Sequence, residues 1–100
     1  MTFSSEQEKV LHDALSTYGI DAQYDIAIEE MSELTKAIIK HRRYNTAETY
    51  DNLCEEIADV AIMIEQLFLS TKFDTVAEHA FKKINRLEAR IIETKKGAEL

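Results

Sequence analysis

One hundred residues, 31% of them charged and 45% hydrophobic, bound a single globular domain over 1–100 and exclude an intrinsically disordered chain. A net charge of −7 excludes nonspecific binding to nucleic acid or an anionic membrane, since both need a basic excess to displace counterions. No apolar run reaches membrane-spanning length, and Met1-Thr2-Phe3-Ser4-Ser5 lacks the basic and apolar parts of a secretion signal, so a cytoplasmic location is expected.

Proline is absent and glycine occurs only at Gly19 and Gly97, which removes most of the punctuation of turns and sheets. The expected class is all-α, a four-helix bundle-like domain. Helix one is predicted over about 5–18: Ser5 and Glu8 form a capping box, and Val10, Leu11, Ala14, Leu15 and Tyr18 recur at helical spacing until Gly19. Helix two is predicted over about 22–42, capped by Asp21 and ending in the basic cluster Lys40-His41-Arg42-Arg43, which suits a helix C-terminus. Helix three, about 47–69, is capped by Asn45 or Thr46 and carries Leu53, Ile57, Val60, Ile64 and Leu67. Helix four, about 73–94, carries Phe73, Ala77, Ala80, Ile84, Leu87 and Ile91 as a packing seam, followed by a frayed tail. Short connections favour antiparallel neighbours, and so small a chain is expected to self-associate through an exposed apolar face.

Cys54 stands alone, so no intramolecular disulfide forms, and it reads as a small apolar residue rather than a nucleophile. His12, His41 and His79 lack the partners of a catalytic histidine and read as surface or cap residues.

The acids are placed less ordinarily. With Glu30 at zero on a helical wheel, Glu33 falls at about 300°, Leu34 at about 40°, Ala37 at about 340° and Ile26 at about 320°. With Glu56 at zero, Asp59 falls at about 300°, Val60 at about 40°, Met63 at about 340° and Leu67 at about 20°. Two pairs, Glu30-x-x-Glu33 and Glu56-x-x-Asp59, thus lie inside apolar stripes of consecutive helices. Buried ionised carboxylates are costly and repel one another, and these stripes hold no base to offset them. A divalent cation does so more economically. An all-oxygen set without His or Cys favours magnesium, with manganese able to substitute. Glu29 and Glu55 lie at the stripe edges as supporting residues.

On helix four Lys83, Arg86 and Arg90 share one flank of the seam, and on helix two Lys40 lies beside Glu33. Such a strip holds phosphate oxygens, so metal and strip together point to a polyphosphate substrate attacked by water. Either Glu30 or Glu33 would orient or deprotonate that water, as catalytic carboxylate.

The segments Glu29-Glu30-Met31-Ser32-Glu33-Leu34 and Glu55-Glu56-Ile57-Ala58-Asp59-Val60 resemble the E-E-x-x-E and E-x-x-D motifs of the MazG-like, all-alpha nucleoside triphosphate pyrophosphohydrolases. The stretch from Asp59 to Leu67 is similar to that of small, phage-associated members, and with Lys83-Ile84-Asn85-Arg86 and Arg90 the resemblance spans roughly residues 20 to 90. It implies cleavage of NTP or dNTP to the monophosphate and pyrophosphate, with Glu30, Glu33, Glu56 and Asp59 as magnesium ligands. It also implies a homodimer or homotetramer and a role in cleansing or regulating the nucleotide pool. Phosphoribosyl-ATP pyrophosphatase is a related option, but its usual Asp-Leu-Leu-Tyr-His stretch is not matched by Asp59-Val60-Ala61-Ile62-Met63. A di-iron bundle needs Glu-x-x-His, and Lys9, Ile38 and Val76 precede the three histidines instead. A non-enzymatic helical oligomerisation or adaptor module explains the seam on helix four but not acids within apolar stripes.

Overall fold

A computed structural model describes residues 2–99. The described residues form four α-helices and no strand: α1 (Ser5–Tyr18), α2 (Ile20–Tyr44), α3 (Ala47–Leu69) and α4 (Phe73–Glu99). The all-helical class is as expected. No helix is long and apolar enough to cross a membrane. Met1–Ser70 form one compact unit and Thr71–Leu100 a second.

The helix ends show how local chemistry sets each boundary. Ser4, not Ser5, caps α1: its hydroxyl accepts from the Gln7 N–H at 3.1 Å, while Gln7 Oε1 accepts from the Ser4 N–H at 2.9 Å. Glutamine closes a capping box as well as glutamate does, so the box sits one residue earlier than expected. Gly19 links α1 directly to α2 with φ 88° and ψ 158°. That region is open essentially to glycine alone, and because a Cβ there would meet nothing within 4 Å, the requirement is one of backbone conformation rather than space. α2 therefore starts at Ile20 without a side-chain cap, and Asp21 instead places its charge in the first turn, where the helix dipole favours it. Asn45, at φ 47°, takes the left-handed turn that ends α2. Thr46 then opens α3 through a capping box with Thr49. α4 runs to Glu99 instead of ending at 94, because Lys95, Lys96 and Ala98 are good helix formers and Gly97 is a single, tolerable interruption.

In the first unit α2 and α3 form an antiparallel hairpin, and α1 packs against both. Its register follows from one contact near the turn, where His41 Nδ1 lies 3.0 Å from Thr49 Oγ1, with the Tyr50 ring beside the imidazole. About three turns further along each helix, Glu30 comes opposite Asp59. Two turns beyond that, Gln23 comes opposite Gln66. Between these polar layers lie the buried apolar residues Ala27, Ala37 and Met63. Small side chains at 27 and 37 let the helices approach closely. The buried line of α2 runs through Gln23, Ala27 and Ala37, so Ile26, expected within the stripe, is 38% exposed.

Two further expectations are corrected. Cys54 is exposed rather than part of the core. Along α4 no residue is buried, and Phe81, Ile84, Leu87 and Ile91 of the expected core-forming flank are exposed.

Candidate metal centre

The hairpin register delivers carboxylates from both helices to one place. Glu30 of α2 and Glu56 and Asp59 of α3, each half-buried, offer oxygens that all lie within 4.8 Å of one another. Octahedral ligation at about 2.1 Å spaces ligand atoms by about 3.0 Å when adjacent and about 4.2 Å when opposite, so the three groups need only small side-chain adjustments to share one magnesium. A second observation fits the same need: Glu56 Oε2 is occluded from solvent and has no hydrogen-bond partner. An unmet carboxylate oxygen is costly, and a cation relieves it.

The electrostatics agree with crowding. The Glu30 carboxyl is held above its ordinary value, first by desolvation, then by the charges of Asp59, Glu56 and Glu29, and by a hydrogen bond shared with Asp59. Glu56 is likewise raised, by desolvation and then by Asp59, Glu33 and Glu55. Glu29 and Glu55, both exposed, thus act on the cluster through their charge.

Glu33 stands apart from the other expected ligands. Its carboxylate pairs with Lys36 at 3.5 Å on the exposed side of α2, outside the group of three. The reason is angular: the buried line of α2 centres near Gln23, Ala27 and Ala37, which leaves Glu33 and Ile26 on its margin. Glu33 is still close enough for its charge to raise Glu56. Lys40 is exposed on α2, and Lys83, Arg86 and Arg90 are exposed along α4.

No family model matches this chain, and neither a curated protein nor a solved structure matches it. The chemistry of the site therefore rests on its own geometry. Two features escaped sequence reasoning. His41 ties α2 to α3 near the turn, a role that its place eight residues before Thr49, across a tight turn, makes intelligible. Gln23 and Gln66 are the buried polar residues of the hairpin, and the signal was present in the wheels, since both fall on the stripes that carry Glu30 and Asp59.

Proposed function

We propose that this protein is a magnesium-dependent nucleoside triphosphate pyrophosphohydrolase of the MazG-like type, cleaving NTP or dNTP to the monophosphate and pyrophosphate. The observation that carries this reading is the convergence of Glu30, Glu56 and Asp59 from facing helices within 4.8 Å, with one Glu56 oxygen left unmet. The motif resemblance supplies the substrate class. Bound magnesium would neutralise phosphate charge and acidify the attacking water.

The residues divide the work. Glu30, Glu56 and Asp59 hold the cation, and Glu33, on the margin of the group, is placed to join them or to orient water. Glu30, whose carboxyl is raised, is the group whose affinity for protons best suits it to accept one from water. Lys83, Arg86, Arg90 and Lys40 are the phosphate-binding cations in this reading. Self-association as a homodimer or homotetramer covers the exposed apolar residues, and the setting is cytoplasmic, nucleotide-pool cleansing in a phage-associated context. The exposed apolar flank of α4 also favours a second reading, a helical oligomerisation module without catalysis.

A panel of ribo-, deoxy- and modified nucleoside triphosphates with magnesium, scored for pyrophosphate against orthophosphate, tests the proposal. Pyrophosphate release that disappears in Glu56→Gln is the expected result. Orthophosphate release, or no turnover of any nucleotide, overturns it.

A further inference from the structure

A cleft of about 210 Å³ opens between α1 and α3, walled by Phe3, Val10, Leu11 and Ile62, with Gln7 at its edge. It lies next to the carboxylates, because Ile62 follows Asp59 by one helical turn and shares its flank of α3. One turn further on, and again on that flank, comes Gln66. This side chain is only 5% exposed, yet its Oε1 has no hydrogen-bond partner. A buried amide oxygen without a donor is unfavourable, and buried polar groups in native proteins are ordinarily paired. Asp59, Ile62 and Gln66 thus mark three successive stations along about 10 Å of helix: an anionic end, an apolar wall and an unmet acceptor.

We infer that this cleft receives the base of the nucleotide and that Gln66 reads it. The inference rests on the nucleotide reading of the carboxylate site. Phosphates held at the Asp59 end direct the rest of the substrate along α3. Phe3, Val10, Leu11 and Ile62 cover the faces of a flat ring, and Gln66 Oε1 accepts from an N–H on the ring's edge. The cleft is smaller than the pockets of about 300 Å³ and more that take drug-sized ligands, which selects a single-ring base. The ligand class is therefore pyrimidine nucleotides, whose edge offers a donor such as the cytosine N4 amine.

Calorimetric titration in magnesium with α,β-imido analogues of CTP, UTP, ATP and GTP, and with inorganic tripolyphosphate as the base-free probe, tests this. Wild-type protein is expected to bind the pyrimidine analogues more tightly than either the purine analogues or tripolyphosphate. Gln66→Leu is expected to lose about tenfold on the pyrimidine analogues and nothing on tripolyphosphate. Its melting temperature should hold or rise, as an unpaired buried acceptor has been removed. Phe3→Ala, a change at a half-buried position, should show the same selective loss. An unchanged ratio of nucleotide to tripolyphosphate affinity in both variants overturns the assignment, as does a preference for purines. If wild-type protein binds neither nucleotides nor tripolyphosphate, the failure lies in the nucleotide reading itself.

Discussion

Replacing Asp59 by Asn removes one negative charge from a group of three while keeping the side chain's shape, and the structure predicts opposite consequences with and without metal. With carboxylate oxygens within 4.8 Å, two ionised groups repel by about 0.9 kcal/mol at the dielectric of water and by about 3.5 kcal/mol at the effective value near a protein surface. Half-burial and partial protonation of Glu30 keep the Asp59–Glu30 pair toward the lower figure, so about 1 kcal/mol is expected to be relieved in chelator. For a domain of this size that corresponds to a rise of roughly 4–8 °C in melting temperature. Magnesium or manganese at a hundred times its dissociation constant stabilises wild-type protein by about 2.7 kcal/mol, whereas the variant, short of a ligand, gains far less. The order of melting temperatures therefore inverts between chelator and saturating metal. Thermal melts of both proteins across a metal titration read this directly. A variant that melts below wild type in chelator, together with a wild type indifferent to metal, would refute the shared-cation account.

Proton linkage offers a separate check. The carboxyls of Glu30 and Glu56 are raised in the folded protein above the ordinary 4.5, so the folded state holds protons that the unfolded chain has released. Their contribution to stability is fully present below pH 4.5 and is lost as pH rises through the raised values; metal-free melts should fall over that window, and Glu30→Gln should flatten the slope. A contribution that instead grows with pH in chelator contradicts the crowding. Gly19→Ala should cost about 1–3 kcal/mol, since φ 88° and ψ 158° admit little but glycine, and denaturant titration showing no loss would mean that the α1–α2 link relaxes freely. Lys83→Ala should weaken tripolyphosphate binding while leaving manganese affinity unchanged; equal losses in both would remove Lys83 from the phosphate-binding set.

Helix placement was legible because periodicity and the scarcity of glycine and proline act locally; α1 and α3 begin and end as periodicity predicts. Cap identity was less so. Ser4 and Ser5 offer the same hydroxyl, and only the geometry of Gln7 decides between them. For the carboxylates, wheel angles placed Glu30, Glu56 and Asp59 on facing lines but could not set the rotation of α2 against α3. That rotation depends on the close approach at Ala27 and Ala37, and it is what leaves Glu33 paired with Lys36. The seam on α4 shows the opposite limit: a heptad-like spacing states that a face is apolar, not what covers it.

The turn at Asn45-Thr46 brings together groups that stand close along the chain, since Glu30, Glu56 and Asp59 all fall within thirty residues of one another. Closing so short a loop carries a small entropic cost, and contacts of this kind form early and fast. During synthesis, α2 and α3 are complete before any residue of α4 has been added. The nascent chain thus holds every carboxylate of the group while its last helix is still untranslated, and cation capture at that stage would stabilise the hairpin before the remainder of the protein exists.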